Sequence, residues 1–333
     1  MRLMSSLTLA DVYRARQRLA GRVAPTPLVA SASLTERSGV PVYLKLETVQ
    51  PTGSFKLRGA TNALAQLAQE GVRRVVTAST GNHGRALAYA ARALGIEAAV
   101  CMSALVPQNK VRAVAALGAR IVIAGHSQDD AQIEAQRLVR KEGYAFVPPF
   151  DDARVIAGQA TIGLEILEAL PDAATLIVPL SGGGLFSGVA FAAKAIRPDV
   201  TMIGVSMARG AAMHASLAAG KPVPVDELET LADSLGGGIG LDNRHTFAMT
   251  RALIDDVVLL DEASIARGIV HAYREERLVV EGAAAVGIAA LLDGRIGHIE
   301  RQADSSDTAG PIVVVLSGAN IDMAQHLRII SDN

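Results

Sequence analysis

Four short segments hold residue types that can do chemistry. The first, Pro51-Thr52-Gly53-Ser54-Phe55-Lys56-Leu57-Arg58-Gly59, contains one of only six lysines in the chain, at what reads as the start of a helix near Ser54. A helix N-terminus disfavours a cation, so an amine there gives up its proton more readily, and the neutral amine is the form that attacks carbonyls. The plainer reading is a solvated surface lysine. The second segment, Ser79-Thr80-Gly81-Asn82-His83-Gly84, joins an apolar strand to a helix. Its small residues leave backbone N–H groups bare at a helix start, where a carboxylate or phosphate binds. Alternatively it is a capped turn in which Asn82 takes a left-handed conformation, with His83 structural rather than a base.

The third segment is Ser181-Gly182-Gly183-Gly184-Leu185, between another apolar strand and a helix that contains Val189 to Ala195. Three glycines expose N–H donors that converge on a phosphate. No Lys-Ser/Thr pair follows, so a nucleotide P-loop is excluded. The spacing Gly182-x-Gly184-x-x-x-Gly188, with Ser206 and Arg209 after the next strand, leaves an NADP-dependent reductase as the rival reading. The fourth, Ser317-Gly318-Ala319-Asn320, follows a strand, and ligands of open α/β sheets bind at such strand ends.

The elements that must position these segments alternate along the chain. Strands are expected at 75–78, 98–101, 120–124, 175–180, 201–205, 256–260 and 311–316. Helices are expected at 85–94, up to Leu117, and at 129–142, with Gly95, Gly118 and Gly143 as stops. Repeated strand–helix–glycine units imply an α/β fold with open, mostly parallel sheets covered on both faces by helices. Pro148-Pro149 is the best internal boundary, and no repeat or low-complexity linker divides the chain.

Composition removes several function classes. The 333 residues carry 32 basic and 33 acidic side chains, 50% apolar and 3% aromatic residues and no Trp. That is a folded chain with neither the charge nor the ring platforms that nucleic acid requires. The lone Cys101 forms no internal disulfide, which fits a reducing, cytoplasmic setting, and Met1 to Arg18 lacks the apolar core of a secretory signal. Ala173 to Ala193 is uncharged and long enough to span a bilayer, but Pro179 and Gly182–Gly184 interrupt it. A strand, a glycine loop and a helix are expected there instead, and no membrane contact.

In this order the segments resemble the pyridoxal-phosphate enzymes of the tryptophan-synthase-β type (fold type II), and within them the serine/threonine dehydratases and serine racemases. The resemblance runs from Pro25-Thr26-Pro27-Leu28 through Tyr43-Leu44-Lys45-Leu46-Glu47 and Val155-Ile156-Ala157-Gly158-Gln159-Ala160-Thr161 to Ser317. It implies that Lys56 holds pyridoxal 5'-phosphate as a Schiff base, with Phe55 against one ring face and Asn82 at the phenolic oxygen. Gly182, Gly183, Gly184 and Leu185 hold the phosphate, and Ser317 partners the ring nitrogen. Ser79, Thr80, Gly81 and His83 take the substrate carboxylate. The implied reaction is α,β-elimination from a β-hydroxy amino acid such as L-threonine or L-serine, giving a 2-keto acid and ammonia. The resemblance further implies a homodimer with a large domain (1–51 and 151–333) and a small inserted domain (52–150) able to close over a small amino-acid substrate.

Departures narrow the expectation. Ser206, Gly210 and Ala212 stand where racemases and many dehydratases of the group carry cation ligands, so no metal is expected. Thr80 replaces the serine that serves racemases as second base, which puts serine or hydroxyaspartate racemisation behind elimination. Ala232-Asp233-Ser234 and the glycine-rich stretch up to Arg244 look like the dehydratase of hydroxyectoine utilisation. The chain stops soon after Ser317, which implies no regulatory domain and no feedback by isoleucine.

Overall fold

The computed structural model describes residues 7–79, 81–106, 108–296 and 310–332. Among the described residues ten strands form two sheets. β1 (Leu28–Ser31), β2 (Val42–Leu46), β7 (Thr175–Pro179), β8 (Thr201–Met207), β9 (Asp256–Leu260) and β10 (Ile312–Leu316) make a six-stranded sheet in the order β1-β2-β10-β7-β8-β9. β3 (Arg74–Ala78), β4 (Glu97–Met102), β5 (Arg120–Ile123) and β6 (Ala145–Phe146) make a four-stranded parallel sheet in the order β5-β4-β3-β6. Every pairing in the large sheet is parallel except β1 with β2, which is antiparallel. Residues 32–41 between those two strands are too few for a parallel crossover, so the chain turns back at this edge.

The helices are α1 (Leu9–Leu19), α2 (Ala32–Ser38), α3 (Lys56–Gln69), α4 (Asn82–Leu94), α5 (Gln108–Ala115), α6 (Gln128–Glu142) and α7 (Ala153–Ala169). They continue as α8 (Gly184–Ile196), α9 (Ala212–Ala219), α10 (Thr246–Leu253), α11 (Glu262–Arg274), α12 (Gly282–Leu292) and α13 (Met323–Asp332). The run Ile312-Val313-Val314-Val315-Leu316 shows why the large sheet is sandwiched. Ile312, Val314 and Leu316 pack with α11 and α12, whereas Val313 and Val315 pack with α7 and α8. A strand with apolar residues on both faces needs helices on both. In the small sheet α3 and α4 cover one face, through Leu64 and Leu87, and α6 covers the other, through Ala131, Ala135 and Leu138.

The expected strands stand close to their observed bounds, and Gly95 and Gly143 end α4 and α6 in the left-handed conformation. Two helices start earlier than the sequence pattern suggests. α4 begins at Asn82 and α8 at Gly184, so residues read as loop form first helical turns. Residues 173–193 contain β7 and most of α8, and no helix among the described residues is long and apolar enough to cross a membrane.

Candidate active site

Lys56 owes its place to two seams. The segment before it is sewn to the segment after β10: Phe55 N–H donates to Ser317 O at 3.0 Å, and Ala319 N–H donates to Gly53 O at 2.8 Å. Ser54 and Gly318 form an antiparallel bridge between those bonds. Behind Lys56, α3 crosses α7 at Gly59 and Gly158. A Cβ at Gly158 would stand 2.6 Å from both Arg58 O and Gly59 Cα, so the two backbones meet only because both residues lack side chains.

A buried ion-pair network fixes the same turn of α3. Arg58 donates to both oxygens of Glu47, at 2.9 and 2.8 Å, and to Glu165 Oε2 at 2.8 Å. Lys45 Nζ reaches Glu165 at 2.6 Å and Thr26 O at 2.7 Å, and Thr161 Oγ1 accepts from Arg58 at 3.1 Å. Burial works against the Arg58 charge, yet Glu47 and Glu165 hold its pKa above the usual arginine value. Burial likewise opposes the Glu165 charge, but Arg58 and Lys45 keep its carboxyl below the ordinary range. Two cations and two anions cancel here, so every charge removed from water has a partner.

Phe55, Lys56, Ser79, Gly81, Asn82, His83, Gly182, Gly183, Gly184, Leu185 and Ser317 all line one cavity of about 330 Å3. Thr80 lies outside the described residues. The cavity is bordered by the starts of α4 and α8, and neither N-cap, Gly81 or Gly183, makes a side-chain cap, although Ser79 Oγ accepts from Gly84 N–H in the first turn of α4 at 3.2 Å. First-turn N–H groups left without a partner attract anions, and both helix starts border one space. At the α8 start a Cβ on Gly182 would lie 2.5 Å from the Phe150 ring and one on Gly184 2.8 Å from Phe150 Cβ, while Gly183 has φ +86°. Side chains are excluded on all three counts, which leaves bare backbone for a ligand.

Lys56 lines the cavity with part of its side chain, while its amine donates to Pro149 O at 2.7 Å. Desolvation pulls its pKa down to about 8, against a smaller upward pull from Glu281. His83 Nε2 stands 3.0 Å from Val147 O. Burial first, then the neighbouring Lys56, push the ring down to about 3. The ring is therefore neutral, Nε2 donates to the carbonyl, and His83 is no proton carrier at neutral pH.

Several polar residues at the cavity have no role in the sequence reading of the site, among them Glu281 and Arg85, and Asn320 was read only as part of the segment after β10. Glu281 is the N-cap of α12, in a stretch that reads only as an alanine-rich helix. Its carboxyl is buried and driven up to about 7, first by desolvation and then by Asp233. Asn82 Nδ2 donates to Glu281 Oε1 at 2.8 Å. A lone glutamate ahead of Gly-Ala-Ala-Ala carries no spacing signal. Asn320 stands three residues after Ser317, and that proximity was the available clue.

The residues of the dinucleotide alternative have local structural partners. Gly188 lies within α8, where a Cβ would stand 2.7 Å from Ile156 O, so its lack of a side chain lets α8 pack closely on α7. Arg209 donates to Glu229 O at 3.1 Å. Among the described residues no group of three or more His, Cys, Asp or Glu is placed to hold a metal ion.

Comparison with known proteins agrees with this geometry. The family described as "Pyridoxal-phosphate dependent enzyme" matches residues 19–318. A Sinorhizobium fredii protein named "Putative threonine dehydratase" is 57% identical over 99% of this chain and 97% of its own length. The "L-threonine ammonia-lyase" of Geobacter sulfurreducens is 42% identical over 94% of this chain and 75% of its own. The structure of maize serine racemase superposes with a TM-score of 0.89 at 32% identity, covering 98% of each chain. The cavity suits the cofactor: a desolvated amine for its carbonyl, a side-chain-free helix start for its phosphate and the buried Ser317 beside them. By sequence, fold and cavity together, the chain belongs to the pyridoxal-phosphate-dependent enzymes of the tryptophan-synthase-β-like fold.

Proposed function

We propose that this chain is a dehydratase, an ammonia-lyase that removes the β-hydroxyl and the amino group from a β-hydroxy amino acid such as L-threonine or L-serine. The products are a 2-keto acid and ammonia. One observation carries the reading: Lys56 shares its cavity with two helix starts whose N-cap residues are glycines. A small amino acid and a phosphorylated cofactor need a base and two anion sites. The names of the relatives at 57% and 42% identity support the same reaction.

In this reading Lys56 holds the cofactor, Gly182 to Leu185 its phosphate, Ser317 its ring nitrogen and Asn82 its phenolic oxygen, with Phe55 packed on the ring. Pyridoxal phosphate, when bound, supplies an electron sink for charge developing at the substrate α-carbon. The first turn of α4, with Ser79, Thr80, Gly81 and His83, receives the substrate carboxylate through backbone donors. Lys56 Nζ accepts the α-proton, and its pKa of about 8 keeps a usable fraction of the amine neutral near neutral pH. Phe150 and Leu185 wall the cavity and restrict water. Ser317 is a neutral partner, so it does not stabilise the charged ring nitrogen as an acid would, which favours elimination over transamination.

Residues 52–150 read as a small domain inserted in a large one (1–51 and 151–333). Lys110 of α5 pairs with Asp233 at 3.5 Å beside the cavity, a contact that supports closure of the small domain over substrate. A cytoplasmic homodimer completes this reading. A second substrate class has one specific support. Asp233, Ser234, Leu235, Gly236 and Gly237, from the stretch that resembles the hydroxyectoine-utilisation dehydratase, line the cavity. They are placed to select a substrate tail, including that of a hydroxyectoine-derived amino acid. Racemisation is the third outcome to score, because the maize structure is a serine racemase.

The test is keto-acid and ammonia release from L-threonine and L-serine by protein loaded with pyridoxal phosphate, with Lys56→Ala as control. Fast release that the control loses supports the dehydratase. D-amino-acid formation without keto acid, or loss of neither product in the control, overturns it.

A further inference from the structure

Glu281, Asn82 and Asn320 close a ring of hydrogen bonds at the cavity that holds Lys56. Asn82 Nδ2 donates to Glu281 Oε1 at 2.8 Å, Asn320 Nδ2 donates to Asn82 Oδ1 at 2.6 Å, and Asn320 backbone N–H donates to Glu281 Oε2 at 3.2 Å. Asn320 is itself held, donating to Thr52 O at 2.8 Å and accepting from Arg85 at 3.1 Å. The three members come from the first turn of α4, the N-cap of α12 and the segment after β10. The ring therefore joins the small-sheet side of the cavity to the large-sheet side.

Its geometry has two consequences. Asn82 has its carbonyl taken by Asn320 and one amide hydrogen taken by Glu281, so one amide hydrogen remains for a ligand, and the amide cannot flip without breaking two bonds. Glu281 accepts at both oxygens, the pattern an ionised carboxylate satisfies best. Gly318 makes room for this carboxylate, because a Cβ there would stand 2.8 Å from Oε1. The charged groups that line the same cavity are Lys56 on α3, Arg85 on α4, Lys110 on α5, Glu227, and Asp233 on the short helix Asp233–Leu235, with His83 neutral. Glu281 is buried and Lys56 half-buried on the same cavity, and the negative charge of Glu281 draws the proton toward the Lys56 amine.

We propose that Glu281 is a positioning residue of the reaction: it fixes the amide of Asn82 toward the bound cofactor, and its carboxylate is the counter-charge that keeps the proton on Lys56. This rests on the reading that Lys56 carries the cofactor, and it adds a residue with no part in that reading.

The experiment uses the cofactor-loaded enzyme without substrate and follows its visible absorbance as a function of pH, in the native chain, E281Q and E281D. Removing the negative charge is expected to lower the spectral midpoint by about one pH unit or more in E281Q, and E281D, which keeps the charge, should return most of that shift. In the assay with substrate, kcat should fall about tenfold or more in E281Q while KM changes less. An E281Q protein that loses activity with an unmoved midpoint shows a merely structural glutamate and overturns the proposal, as does one that behaves as native. Should E281Q not fold, infrared difference spectra of the native holoenzyme labelled with 13C-glutamate decide. A buried glutamate carboxyl that changes ionisation together with the visible absorbance supports the proposal, and one that stays constant overturns it. The spectral midpoint needs no substrate, so failure here is distinct from failure of threonine to react.

Discussion

The backbone N–H of Phe55 donates to the carbonyl oxygen of Ser317 at 3.0 Å. That bond ties the residue before Lys56 to the residue that follows β10, an interior strand of the large sheet. The lysine and the hydroxyl are thus placed by a two-stranded seam rather than by independent loops. A displacement at either end of the seam is expected to carry the other with it.

The glycines at the α8 start give a direct test of the anion cradle. Gly182→Ala would put a Cβ 2.5 Å from the Phe150 ring, and Gly184→Ala one 2.8 Å from Phe150 Cβ. Overpacking of this kind costs about 1–3 kcal/mol. Pyridoxal-phosphate affinity, measured by fluorescence titration, is expected to weaken about 5- to 150-fold in either variant, with the secondary structure seen by circular dichroism retained.

Arg58→Ala tests the network behind the lysine. It leaves Glu47 and Glu165 buried without their guanidinium, a loss of about 3–5 kcal/mol when one partner of a buried pair is removed. Urea unfolding should show that loss in the cofactor-free protein as well as in the loaded one. A network that mattered only to the cofactor would show it in the loaded protein alone.

Lys56 and Glu281 set opposite pH trends in the stability of the cofactor-free chain. Lys56 titrates at about 8 when folded against 10.5 ordinarily, so between those values the unfolded chain binds more protons and stability rises with pH. Glu281 titrates at about 7 against 4.5, so between those values the folded chain binds more protons and stability falls as pH rises. Denaturation midpoints of native protein minus those of Lys56→Met should climb from pH 8 to 10.5. The same difference taken with Glu281→Gln should decline from pH 4.5 to 7.

The Lys110–Asp233 pair is largely exposed, so its worth to folding is small, about 0–1 kcal/mol. Lys110→Ala is expected to leave the unfolding curve nearly unchanged while raising KM. High salt should raise the KM of the native enzyme toward that of the variant, because an exposed pair is screened.

Much of this was legible in the sequence because local signals agreed with the global fold. Val75-Val76, Ile312 to Leu316 and the glycines after α4 and α6 mark strands and stops without any tertiary knowledge. The four chemical segments share a cavity because each follows or precedes a strand end, where open α/β sheets collect their ligands. The motifs Tyr43 to Glu47 and Val155 to Thr161 were visible only as resemblance. Their job is the ion network and the Gly59–Gly158 crossing, which depend on partners distant in sequence. Glu281 was invisible for the same reason: what makes it unusual is burial beside Asn82, and burial of one carboxylate leaves no periodicity to read.

β10 is the last of the ten strands among the described residues, yet it lies between β2 and β7, in the interior of the large sheet. During synthesis β2 and β7 therefore wait with an unpaired edge each, for as long as it takes the ribosome to reach residue 316. Lys56 is made early but gains its seam only when Ser317 emerges, so a nascent chain cannot capture its cofactor in the finished geometry. The interval exposes apolar strand edges to other chains, which makes premature termination upstream of β10 an aggregation hazard rather than a mere loss of activity.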